Sequence, residues 1–173
     1  MLDRQFFRDI SADVVMNYRK HIFDPKGGGA KAKMVNGSSY PPYSDKGENV
    51  GWRSIGKGDK RRSVFIDSYA NKKKTGNLKV NQKPQDRKFK DSKAPVLTGD
   101  LLKDYGFKEY ISNGFSFGFT SEGAKAKRLT DTGRLLSTKR HPVPKSVSKF
   151  IQKEADKYVE KELNKIKGRT FNL

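Results

Sequence analysis

Phe107-Lys108-Glu109-Tyr110-Ile111-Ser112-Asn113-Gly114-Phe115-Ser116-Phe117-Gly118-Phe119 is the stretch on which the fold turns. Phe107, Glu109 and Ile111 alternate before Asn113-Gly114, and Phe115, Phe117 and Phe119 alternate after it. Successive side chains of a strand point to opposite faces, so this alternation marks a sheet with two unlike faces. Asn-Gly suits a type I′ turn, whose two central residues both need positive φ. The stretch therefore predicts a β-hairpin with three phenylalanines on one face. That face needs an apolar cover.

Two amphipathic helices can supply the cover. Over residues 3–23, Phe6, Ile10, Val14, Tyr18 and Ile22 step by four, and Phe7 and Val15 widen the stripe. Pro25 and Gly27-Gly28-Gly29 end this helix. Over residues 146–167, Val147, Ile151, Ala155, Tyr158, Val159, Leu163 and Ile166 fall at helical spacing, with Phe150 alongside. Ser146 is the expected N-cap, and Lys165 and Lys167 suit the C-terminal end of the helix dipole. The expected fold is α+β: a small antiparallel sheet packed by the N- and C-terminal helices in a single domain over 1–173.

Shorter elements join these. Residues 96–105 read as a turn into a short helix capped by Thr98 or Asp100, and residues 121–133 as another short helix. Pro142 and Pro144 bracket a rigid extended piece. Thr98-Gly99-Asp100-Leu101-Leu102 and Thr132-Gly133-Arg134-Leu135-Leu136 look alike, and the intervening hairpin argues against a stacked repeat.

Residues 24–95 differ from both ends. They hold 18 basic and 7 acidic residues, a net of +11 from 18 − 7, among many Gly, Pro, Ser and Asn. Ser63-Val64-Phe65-Ile66 is the clearest strand-like piece. The stretch reads as a basic, loop-rich insertion or arm that orders when something docks on it.

The whole chain carries 38 Lys and Arg against 19 Asp and Glu, a formal +19, with 33% hydrophobic residues. Such a field attracts polyanions: nucleic acid, acidic membrane surfaces or an acidic protein. There is no cysteine, which excludes disulfides, thiolate catalysis and Cys-ligated zinc. The first ten residues do not follow a signal-peptide pattern, and no apolar run approaches the ~20 residues of a membrane span. A protein made in the cytoplasm and not inserted in a membrane is expected.

No catalytic constellation stands out. His21 and His141 have no second ligand at metal-binding spacing. Gly27-Gly28-Gly29-Ala30-Lys31 does not match a phosphate-binding loop, which needs four residues between its glycines and a Ser or Thr after the lysine. No enzyme activity, cofactor or metal is expected. The candidate contacts for a polyanion or partner are basic residues with interspersed aromatics: Trp52, Arg61, Arg62, Lys72, Lys73, Lys74, Arg87, Lys88 and Lys90.

Tyr40-Pro41-Pro42-Tyr43-Ser44, Tyr69-Ala70-Asn71-Lys72-Lys73-Lys74-Thr75-Gly76, Pro95-Val96-Leu97-Thr98-Gly99-Asp100-Leu101-Leu102, the aromatic hairpin and His141-Pro142-Val143-Pro144 follow one another between the two helices. This order resembles the head–tail connector and tail-completion proteins of tailed bacteriophages, also called virion-morphogenesis proteins. The likeness spans residues 3–167, and the long basic region departs from the family pattern. The resemblance implies a structural virion protein of the neck, at the head–tail junction, assembled as a six- or twelve-fold homo-oligomeric ring. It implies portal or adaptor and tail proteins as partners, with non-specific DNA contact at most. The alternative reading of the basic composition is a sequence-independent nucleic-acid-binding protein.

Overall fold

The computed structural model describes residues 2–43, 51–55, 57–75, 79–80, 83–84, 87–89, 92–95, 99–111 and 114–167. The fold is α+β, as expected. Helix α1 spans Arg4–Phe23. Strands β1 (Gly51–Ile55) and β2 (Arg62–Ile66) form one antiparallel hairpin, and a short 3-10 turn lies between them at Gly58–Lys60. Helix α2 (Tyr69–Thr75) follows, then the two-residue strands β3 (Lys79–Val80) and β4 (Lys83–Pro84). Helix α3 (Asp100–Asp104) leads into the hairpin β5 (Tyr105–Ile111) and β6 (Gly114–Phe119). Helices α4 (Gly123–Asp131) and α5 (Lys145–Lys167) complete the described chain.

α1 forms because its apolar residues recur on one side and because Asp3 caps it. The Asp3 carboxylate accepts the Phe6 amide at 2.8 Å, which satisfies one of the unpaired N–H groups of the first turn. The helix ends where Asp24 turns left-handed at φ 45°, immediately before Pro25. Asp24 stays buried and accepts the amides of Gly27 and Lys31. These bonds fold the chain back along α1.

α1 is the central element. It lies on β5–β6 and on α5, and its buried residues Ile10, Val14, Tyr18 and Ile22 anchor one continuous core. The Tyr18 ring stacks on Tyr105 of β5 with centroids 3.7 Å apart and planes 6° from parallel. Arg19 reaches over to donate to the carbonyls of Lys103 and Tyr105. Phe7 meets Phe115 of β6, and Phe6 meets Tyr158 of α5. Aromatic pairs of this kind add roughly 0.5–1.5 kcal/mol each beyond their buried area.

The hairpin differs in register from a simple alternation. Tyr105 pairs with Phe119 and Phe107 with Phe117, but beyond an irregularity at Phe107/Glu109 it is Tyr110 that pairs with Phe115. Lys108 is the extra residue of a β-bulge, and a bulge shifts which face each later side chain takes. Tyr110 therefore joins the aromatic face, while Glu109 and Ile111 are exposed. Ile111 pairs with Gly114, so Gly114 already belongs to β6. The expected Asn113 turn position lies outside the described residues.

Two expected caps fall elsewhere. Gly99, at φ 81°, takes the N-cap position of α3, and Asp100 is the first helical residue; Thr98 lies outside the described residues. α5 begins one residue before Ser146, and the Pro144 carbonyl accepts the amides of Val147 and Ser148. The Ser146 hydroxyl instead meets His21 Nδ1, while His21 Nε2 meets the Met34 carbonyl. His21 thus joins α1, the loop after it and the start of α5.

Of the two Thr-Gly-x-Leu-Leu pieces, the glycine conformation is shared, but residues 100–102 are helical and residues 134–136 are not. Gly99 and Gly133 have φ of 81° and 83°, but the first opens α3 and the second follows α4. The left-handed glycine explains the likeness without a duplication.

Parts of the 24–95 stretch are core. Met34, Val35, Tyr40, Phe89 and Ala94 are all buried. Gly29 shows how closely this stretch is held: a Cβ added there would stand 2.0 Å from Ser92 Oγ. The β1–β2 hairpin is different, with Lys57, Asp59, Lys60, Arg61 and Arg62 exposed and Phe65 49% exposed.

Candidate functional site

A cleft of about 650 Å³ opens beside α2, lined by Tyr43, Ser68, Asn71, Lys73, Lys74 and Lys93 among others. α2 sits there because Ser68 is buried and its hydroxyl accepts the Asn71 amide. That bond opens the first turn of a short helix which would be marginal alone. The helix then carries Lys73 inward and Lys74 outward.

Lys73 is 2% exposed. Its ammonium donates to the Ala94 carbonyl at 2.7 Å and lies 4.5 Å from the Tyr43 ring centroid. On the same ring, the Arg134 guanidinium carbon stands 3.7 Å from the centroid. Arg134 is buried too, and it donates to the carbonyls of Lys93 and Pro41. Tyr43 is thus held by two cations, and the Tyr43 hydroxyl donates to Ala94. Four segments that are distant in sequence meet in this clasp: 41–43, α2, 93–94 and the turn after α4.

The clasp has an electrostatic cost. Burial disfavours the charged form of Lys73, and the nearby Arg134 charge adds to it; together they lower its pKa to about 7. An amine near neutrality can donate to a carbonyl in either protonation state. The geometry around Ala94 reads as an anchor for α2 and the basic segment.

The candidate contacts separate into groups. Arg61, Arg62, Lys74 and Arg87 are exposed, and Lys72 is half-buried. Lys73 is withdrawn as a surface contact, because its side chain is committed to the clasp beneath α2. Trp52 pairs with Phe65 across β1–β2, and Lys88 lies in the 3-10 turn Arg87–Phe89; their side chains lie outside the described residues, as does Lys90. Of the candidates, Arg61 and Arg62 stand together at the start of β2, and the exposed Lys57 and Lys60, which were not among the candidates, lie beside them in the β1–β2 turn. Sequence reasoning missed Arg134 and Tyr43 as site residues. Nothing local marks them, since their partners lie 93 and 51 residues away in the chain.

A second surface lies at the start of α1. Arg4, Phe7, Tyr110, Ile111 and Gly114 line a cleft of about 280 Å³. The guanidinium carbons of Arg4 and Arg8 stand 5.3 and 5.8 Å from the Tyr110 centroid. On the far side of α1, α5 carries Val159, Leu163 and Ile166 at 49%, 52% and 54% exposure. These three were expected in the core stripe. α5 meets the start of α1 at Tyr158 and continues beyond it, so among the described residues no helix covers the later apolar ones.

Among the described residues, no helix is long and apolar enough to cross a membrane and no group of acids and histidines could hold a metal ion. Comparison with protein-family models, with curated proteins and with solved structures found no match to the chain.

Proposed function

We propose that this chain is a structural virion protein of the phage neck, a subunit of a homo-oligomeric ring that joins head and tail. The observation that carries the reading is the exposed apolar surface on either side of α1. Val159, Leu163 and Ile166 on α5, with Ile111 and the 40%-exposed Phe107 on the hairpin, are large side chains left uncovered in a chain with few of them. Surfaces of that kind mark places where another protein sits. Two different surfaces on one subunit suit a head-to-tail contact, and such contacts close into rings when the rotation allows. The order of motifs between the two helices supports the same reading.

The basic hairpin gives a second reading its own support. Lys57, Lys60, Arg61 and Arg62 project together beside the half-exposed Phe65. Clustered cations beside a half-exposed aromatic suit sequence-independent contact with a nucleic-acid backbone. In the neck reading the same hairpin meets an acidic portal or adaptor surface, or the passing DNA.

Native mass spectrometry on nuclease-treated protein separates the two. A closed six- or twelve-fold species is expected. A monomer that binds nucleic acid, and binds no portal or adaptor protein, would sink the neck reading.

A further inference from the structure

The chain carries +19 in total, so two copies repel each other on average. A direct contact between copies is favoured where that charge is locally inverted, and α5 contains such a stretch. Residues 154–162 hold Glu154, Asp156, Glu160 and Glu162 against Lys157 and Lys161, a local −2 from 2 − 4. Glu154 is paired with Lys157 and Glu162 with Lys165. Asp156 accepts from the neutral Gln152, and no ion pair of Asp156 or Glu160 occurs among the described residues. These two acids are one turn apart and line a shallow hollow of about 340 Å³ with Val159, Leu163, Asn164 and, at its C-terminal end, Lys167. The surface is therefore an apolar stripe with two carboxylates at one end and a single lysine at the other.

The cleft at the start of α1 has the opposite character. Its floor is Phe7, Tyr110 and Ile111, and Arg4 and Arg8 stand over the Tyr110 ring. Both residues are exposed with their guanidinium groups near the Tyr110 ring, so a carboxylate from another chain can reach them there. Arg4 and Arg8 lie on the hairpin side of α1, whereas Asp3, Phe6 and His21 face α5. One copy cannot close this contact on itself, because α5 is fixed to the other face of the same helix.

We propose that the Val159–Leu163–Ile166 stripe of one copy docks into the Arg4–Tyr110–Ile111 cleft of a second copy, with Asp156 and Glu160 against Arg4 and Arg8. The contact is heterologous, so each subunit uses both surfaces and a chain of copies can close. The inference rests on the ring reading and names the surfaces that would build it.

Charge exchange tests it. Four proteins are compared by sedimentation velocity and native mass spectrometry: the natural chain, D156R/E160R, R4E/R8E and the protein with all four changes. All four positions are exposed, and an acid at position 4 favours the positive end of α1, so folding, checked by circular dichroism, is retained. Each double variant should weaken assembly by at least about tenfold, since like charges then face each other. The fourfold variant should restore it, and so should mixing the two double variants. A Leu163→Ser variant should weaken assembly, and adding R4E/R8E or D156R/E160R should not restore it. An assembly unchanged by either double variant overturns this docking while leaving a ring built on other surfaces. Loss in D156R/E160R alone also overturns it, because the stripe then has another occupant. A natural chain that stays monomeric at high protein concentration overturns the docking, and the neck reading then stands or falls on binding to portal or adaptor protein.

Discussion

Tyr18 and Tyr40 are both buried in one core, yet their hydroxyls are placed differently. Tyr18 donates to the Leu136 carbonyl at 2.7 Å, whereas the buried Tyr40 hydroxyl has no hydrogen-bond partner among the described residues. Removing a hydroxyl that serves a buried carbonyl leaves that carbonyl unsatisfied, at a cost of about 1–3 kcal/mol. Removing an unsatisfied hydroxyl costs nothing of the kind. Tyr18→Phe should therefore lower stability by about 1–3 kcal/mol, and Tyr40→Phe should be neutral or stabilising. Urea unfolding of the two variants at one pH decides this, and a reversed order would show that the hydroxyls are misassigned. Lys73 adds a pH effect. Its folded pKa of about 7 lies below the ordinary value of 10.5, so the unfolded chain binds more protons between those values. The contribution of Lys73 to stability then rises as pH increases from about 7 to 10.5, and its full cost is present below 7. Lys73→Met should flatten that part of the stability profile relative to the natural chain. Equal slopes in the two proteins would mean that Lys73 is charged in its buried site.

At the scale of elements, α3, β6 and α4 are tied by Asp104. Its carboxylate accepts the amides of Thr120, Ser121 and Glu122 and the Ser121 hydroxyl. Partial burial pushes its pKa up, but the hydrogen bonds from Ser121, Glu122 and Thr120 outweigh that and bring it down to about 2. A lowered carboxylate pKa gives stability that is present above the ordinary 3.8 and is lost as pH falls toward 2. Asp104→Ala should cost about 1–2 kcal/mol at neutral pH, as for loss of a helix cap. The difference from the natural chain should shrink as pH falls from 3.8 through about 2, and a difference constant from pH 7 to 2 would exclude this role. The helices were legible because apolar spacing is a local property: α1 and α5 fall within a residue of the expected spans. The bulge at Lys108 was not, since which residue is extra depends on the partner strand. The exposure of Val159, Leu163 and Ile166 was not legible either. A stripe at helical spacing states that a face is apolar, and only the place where α1 begins decides where its cover stops. The clasp of Lys73, Tyr43 and Arg134 joins residues far apart in sequence, and no motif announces it.

At the scale of the whole molecule, the four-cation cluster of the β1–β2 hairpin and the apolar surfaces beside α1 are on different elements, and salt should act on them separately. The basic cluster of Lys57, Lys60, Arg61 and Arg62 is on the β1–β2 hairpin, while the apolar surfaces flank α1. A contact that neutralises phosphates releases counterions, so log K falls with log salt by about 0.9 for each phosphate neutralised. Four cations acting together would give a slope near −3.6, or a loss of roughly a hundredfold between 50 and 200 mM salt. Assembly through apolar contacts with a few ion pairs at the rim should weaken far less over the same range. Replacing the four hairpin cations with alanine should therefore remove about 3 to 4 from the DNA-binding slope and leave the oligomer distribution as it was. Sedimentation at both salt concentrations, with and without a random-sequence duplex, measures the two effects on one sample. If the oligomer itself disappears with the hairpin cations, or after nuclease treatment, then nucleic acid holds the copies together. The apolar surfaces beside α1 would then need a different partner, and the nucleic-acid reading would replace the neck reading.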